Sequence, residues 1–113
     1  MTKTVLHAFQ GGTDGDEPAT GLAAIGSGYW GTTEFGGSGL NCETLGCGTL
    51  FEIQVSGLVS HTLSYVSVYS FQGGTTDGAT PETGLVGNSA GNIYGTTAGG
   101  GANGVGTFFQ YVP

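Results

Sequence analysis

The segment FQGGTDGDEPATGL, residues 9–22, returns as FQGGTTDGATPETGL at residues 71–85, matching at nearly every position once one threonine is allowed as an insertion. A repeat of this kind outranks local signals, because one supersecondary unit used twice sets the architecture. The correspondence continues downstream. Trp30-Gly31-Thr32-Thr33 is echoed by Tyr94-Gly95-Thr96-Thr97, and Gly48-Thr49-Leu50-Phe51 by Gly106-Thr107-Phe108-Phe109, with the blocks in the same order in both copies. The unit is about 60 residues long. The first copy differs mainly by a longer loop that holds both cysteines.

Each copy reads as β throughout. Short runs rich in Val, Ile, Thr, Tyr and Phe are bounded by Gly, Asp, Asn and Pro clusters, and no 3.6-residue apolar period is sustained, so no helix is expected. In the first copy the runs predict strands over 21–25, 29–33, 48–55 and 60–71; in the second, over 84–87, 92–97 and 105–112. The Asp-Gly-x-x-Pro stretches read as loops, since Asp before Gly forms turns through its own backbone.

The second copy stops after its third strand, while residues 4–9, TVLHAF, match the late part of the first copy's fourth strand, SVYSF. The register is thus circularly permuted, giving a closing strand in 1–9, one unit over 10–71 and another over 72–113. Permuted four-stranded units are how β-propellers close. The fold class expected is all-β, two four-stranded propeller blades per chain. Because propellers usually need at least four blades, a ring requires several copies: a homo-trimer with six blades or a tetramer with eight. Residues 4–9 would pair with 107–112 of the same chain or of a neighbour. A head-to-tail contact that does not close would instead make the chain an open filament subunit.

The pattern Phe-x-Gly-Gly-x-Asp-Gly-x-x-Pro-x-x-Gly-Leu, followed by Trp/Tyr-Gly-Thr-Thr, a Gly-rich stretch and Gly-Thr-Leu/Phe-Phe, resembles the GloVer-type bacterial tandem repeat. Phe9–Leu22 and Phe71–Leu85 carry the resemblance, together with Trp30–Thr33 and Tyr94–Thr97. It implies a β-propeller-like repeat in an exported, extracellular or cell-surface protein, without an established enzymatic activity. The cysteine loop after Gly39 and a copy number of two depart from that pattern.

Composition narrows the partners. Of 113 residues, 25 are Gly and only 9 are charged, 8 of them acidic, for a net charge of −7. The glycines keep no three-residue period, which excludes collagen, and the low charge excludes a charge-driven disordered tail. With Lys3 the sole base and no Arg, the chain repels phosphate backbones and anionic lipid, so neither nucleic acid nor membrane is an expected partner. No apolar run approaches the ~20 residues that span a bilayer. MTKTVLHAFQGG lacks the apolar segment of a secretory signal, so a signal is expected to be removed or absent.

The residues with chemistry are few. Cys42 and Cys47 are spaced to close a small disulfide loop in an oxidising compartment, against the alternative of two reduced thiols. His7 and His61 are the only general bases near neutral pH. His7 takes the place of Tyr69 in the repeat, which favours packing over catalysis, and His61 reads as an exposed strand start. Asp14 and Asp16 alternate in a loop as calcium ligands do. Asp77 keeps the first acid, but Ala79 replaces the second, so a turn is the plainer reading and no cofactor other than that weak calcium site is expected. Trp30 and Tyr94, with Thr32 and Thr96 beside them, are the candidate ligand-binding residues, since planar rings next to hydroxyls suit glycans; the competing reading is packing between blades. A glycosidase would need paired carboxylates. Glu34 aligns with Ala98 and Glu52 with Gln110, so neither acid belongs to the repeat. The function expected is a non-enzymatic structural and interaction module that assembles with itself, with a lectin-like propeller as alternative.

Overall fold

The computed structural model describes residues 2–56 and 62–113; His61 and the start of the strand expected over 60–71 lie outside the described residues. The chain is all-β. Its described strands are β1 (Asp16–Pro18), β2 (Ala23–Ile25), β3 (Gly28–Phe35), β4 (Thr49–Ser56), β5 (Thr62–Ser70), β6 (Gly78–Ala79), β7 (Val86–Gly87), β8 (Ile93–Thr97), β9 (Gly99–Gly100) and β10 (Thr107–Tyr111). The one helical element described is a 3-10 turn over Gly12–Asp14.

The first copy forms a sheet in the order β1-β3-β4-β5, with β2 also on β3. Tight chemistry builds it. Ile25 pairs with Gly28 across Gly26-Ser27, and Gly26 has a φ of 61°, a left-handed conformation that a side chain would strain. Every pairing is antiparallel, and β4 and β5 run together from Thr49↔Ser70 to Ser56↔Thr62. One irregularity interrupts them: Leu50 faces Tyr69 and Phe51 faces Ser67, so Val68 is an extra residue that bends the strand.

The second copy repeats this design in pieces. β10 lies against β8 with Thr107 opposite Thr97, as β4 lies against β3 with Thr49 opposite Thr33. Ala79 pairs with Gly99 as Asp16, its counterpart, pairs with Phe35. The loops expected at both Asp-Gly-x-x-Pro stretches are therefore partly strands, β1 and β6. Their residues have low strand propensity, and pairing with the far ends of β3 and with β9 overrides it. The predicted strands over 21–25 and 84–87 shorten to Ala23–Ile25 and Val86–Gly87.

Residues 2–10 form no strand. They lie on the first copy. The ring of His7 stacks on Tyr65 at 3.7 Å and Phe9 packs on Phe51 at 5.3 Å. There β4 already has β3 and β5 as neighbours, so no edge of β4 is left to receive the segment.

The core lies between the two copies. Ile25, Trp30, Cys47 and Leu50 of the first pack with Ala79, Leu85 and Ile93 of the second and with Phe71 at the junction between them. Alternation along the strands explains the choice of residues: Trp30 and Leu50 point to one face of their sheet, whereas Phe51 points to the other, onto Phe9. The Thr80 N–H donates to the Cys47 carbonyl at 2.8 Å across the copies, and at the junction the Phe71 N–H donates to the Gly48 carbonyl at 2.9 Å. Phe71 and Phe109 add an edge-to-face contact at 5.1 Å.

Candidate functional site

The repeated Asp-Gly dipeptide gathers polar contacts in both copies. Asp77 accepts the Gln72 N–H at 2.8 Å and the Tyr69 hydroxyl at 2.6 Å. Asp14 accepts the Gln10 N–H at 2.9 Å, and His7 Nε2 lies 3.1 Å from it. The two sites are the same device used twice, with an imidazole in place of a phenol. Burial first, and then the Asp77 hydrogen bond and charge, push the Tyr69 hydroxyl up to about 12. Tyr65, whose hydroxyl donates to the Asp14 carbonyl at 2.9 Å, is raised further, by burial ahead of the nearby Asp14 charge.

Asp14 and Asp16 are not brought together as a calcium pair. The Asp14 carboxylate is turned to His7 and Gln10, while Asp16 is an exposed residue of β1 opposite Phe35. Among the described residues no three His, Cys, Asp or Glu side chains converge as metal ligands would. Glu34 is half-buried at the end of β3, and its carboxyl is raised above the usual range by burial, with the Glu82 and Glu17 charges adding to it.

The four candidate ligand-binding residues divide into two pairs on different sheets. Trp30 is 4% exposed and donates its indole N–H to the Ile25 carbonyl at 3.2 Å, which leaves neither ring face open for a sugar. Thr32, two residues on, is also buried, and its hydroxyl has no hydrogen-bond partner. Both point between the copies. Tyr94 and Thr96 stand on the outer side of the second copy. The Tyr94 ring stacks on Phe108 at 6.0 Å and its hydroxyl accepts from Gln110 Nε2 at 2.9 Å, while Thr96 shares a 2.6 Å hydroxyl bond with Thr83.

Cys42 and Cys47 form a disulfide, with Cα atoms 5.3 Å apart. The bridge touches the second copy: a Cβ added at Gly73 would lie 2.9 Å from each sulfur. Asn41 Nδ2 donates to the Gln72 carbonyl at 3.0 Å, tying the loop to the same place. Disulfides persist in oxidising compartments, so the bridge is compatible with an extracellular protein. Among the described residues no helix is long and apolar enough to cross a membrane.

Two depressions bear on function. One of about 430 Å³ runs between the copies and presents Ser27, Glu52, Gln54 and Asn92; Glu52 there accepts a 2.9 Å bond from Gln54 and is the one acidic side chain among the described lining residues. The other, about 400 Å³, is an apolar groove on the outer side of the first copy, lined by Leu6, Phe9, Pro18, Leu22, Phe51 and Ile53. Sequence reasoning passed over Leu22, Tyr65 and Phe108. The alignment pairs Leu22 with Leu85 and Phe108 with Leu50 as like residues, and only the structure shows that one member of each pair is exposed and the other buried.

Comparison with protein-family models, with curated proteins and with solved structures returns no match to this chain.

Proposed function

We propose that the protein is a non-enzymatic structural and interaction module of β-propeller type, which assembles head to tail with further copies of itself. One observation carries this reading: both halves of the contact between the two copies recur, exposed, one on each copy. Leu85 is 8% exposed and its counterpart Leu22 is 54% exposed. Leu50 is 1% exposed and its counterpart Phe108 is 73% exposed. Ile93 is fully buried where Tyr29 is open, and Pro81 is buried where Pro18 is exposed. The outer side of the second copy therefore offers what the first copy offers to the core, and the groove at Leu22 offers what the second copy does.

Heterologous contacts of this type generate closed rings when the rotation between copies closes and filaments when it does not. A trimer would hold six four-stranded blades and a tetramer eight, within the range propellers use. The −7 net charge opposes assembly only through a repulsion that salt screens, while apolar surface such as Phe108 and Leu22 supplies the attraction. The disulfide and the resemblance to exported repeats support an extracellular or cell-surface location.

Blocking one face at a time tests the reading. Leu22→Asp spoils the groove and Phe108→Asp spoils the opposite face, both at exposed positions that leave the internal core alone. Each variant by itself is expected to run as a single chain, and an equal mixture of the two as a two-chain species joined through the remaining intact faces. Variants that keep the parent mass, or a mixture that stays at one chain, would overturn it.

A further inference from the structure

We infer that residues 4–8 of one copy add to the free edge of β10 in the next copy, antiparallel and in a defined register; this rests on the self-assembly proposed above and specifies its backbone contact. Among the described residues, β10 pairs with β8 on one side and with nothing on the other. Its counterpart β4 is paired on both, with β3 and β5. Sequence alignment makes residues 4–9 the equivalent of 66–71, the stretch that completes the β4 edge and leads into the second copy.

The far end of the segment is already seated as that equivalence requires. Phe9 packs on Phe51 at 5.3 Å as Phe71 packs on Phe109 at 5.1 Å. His7 meets Phe9 edge to face at 87°, as Tyr69 meets Phe71 at 86°. His7 reaches Asp14 as Tyr69 reaches Asp77. What 66–70 has and 4–8 lacks is a strand partner, and an unpaired strand edge is a template for another chain.

The β4–β5 ladder then sets the register. Thr49↔Ser70, Leu50↔Tyr69, Phe51↔Ser67 and Glu52↔Val66 translate into Thr107 opposite Ala8, Phe108 opposite His7, Phe109 opposite Val5 and Gln110 opposite Thr4. Leu6, the equivalent of Val68, becomes the extra residue of the bulge. Val5 and Leu6, both exposed in the single chain, gain cover in the pairing, and so does Phe108.

Cysteine cross-linking reads the register directly. Thr4 and Gln110 are exposed and lie outside the core. Opposed strand residues sit ~4.5–5.5 Å apart at Cα, within disulfide reach. Thr4→Cys and Gln110→Cys chains, mixed and mildly oxidised, are expected to give a covalent two-chain species. Val5→Cys with Gln110→Cys, one residue out of register, is expected to give none. If the unmodified chain assembles in solution but the Thr4 and Gln110 positions do not cross-link, the strand register is wrong while self-assembly stands. If the unmodified chain stays single, both fail.

Discussion

Thr33 and Thr49 share a hydroxyl–hydroxyl hydrogen bond of 2.7 Å, and Thr97 and Thr107 share one of the same length in the second copy. Each pair is clamped further: Thr33 donates to the Phe35 carbonyl at 2.9 Å and Thr97 to the Gly99 carbonyl at 2.9 Å. The Asp-Gly turn lies over each pair. A Cβ at Gly15 would come within 2.8 Å of Thr33 and 2.9 Å of Thr49, and one at Gly78 would meet Thr97 and Thr107. Three separate blocks of the repeat, Asp-Gly, Gly-Thr-Thr and Gly-Thr, are thereby explained by one contact.

Gly15→Ala is accordingly expected to destabilise the fold, since the residue also has a φ of 99° that a side chain resists. Strain and overpacking together put the loss at about 1–3 kcal/mol. Thr33→Val, which strands the Thr49 hydroxyl in a buried site, is expected to lose about 1–3 kcal/mol. Denaturant unfolding checks both, and unchanged midpoints would remove the clamp from the account.

The disulfide links the cysteine loop to the contact between copies. Reduction, or Cys42→Ser with Cys47→Ser, is expected to cost about 2 kcal/mol for so short a loop. Thermal melting with and without reductant measures it. Gly73→Ala, which crowds both sulfurs, is expected to lower the melting temperature in oxidised protein.

Alkaline pH is expected to destabilise the chain through Tyr65 and Tyr69, and Tyr69 gives the readable part. Its hydroxyl is raised from 10.0 to about 12 in the folded state, so the stability it contributes is complete below pH 10 and is lost as pH rises through 12. Tyrosinate absorbance followed during alkaline titration gives the ionisation. Tyr69→Phe is expected to shrink that loss without abolishing it, since the raised Tyr65 hydroxyl contributes over the same range; a variant whose alkaline loss is as large as the parent's would contradict the assignment.

Much of this fold was legible in the chain because the repeat was. The hairpin at Gly26-Ser27 and the long strands through Trp30, Phe51 and Val66 follow from residue pattern, whereas the closing strand expected in residues 4–9 is not formed within the chain. Two features were hidden. β1 and β6 form from Asp16, Pro18, Gly78 and Ala79, residues that favour turns, because their partners in β3 and β9 impose the pairing. Trp30 and Tyr94 looked like equals in sequence, yet one is enclosed by the second copy and the other faces outward, a difference that depends on which neighbour is present rather than on the residue.

The same asymmetry points to the decisive measurement: the absolute mass of the intact chain in solution by light scattering on a sizing column. Head-to-tail assembly predicts three or four times 11.2 kDa for a closed ring, or a much larger mass for a filament. A species of 11.2 kDa at every concentration tried would contradict it.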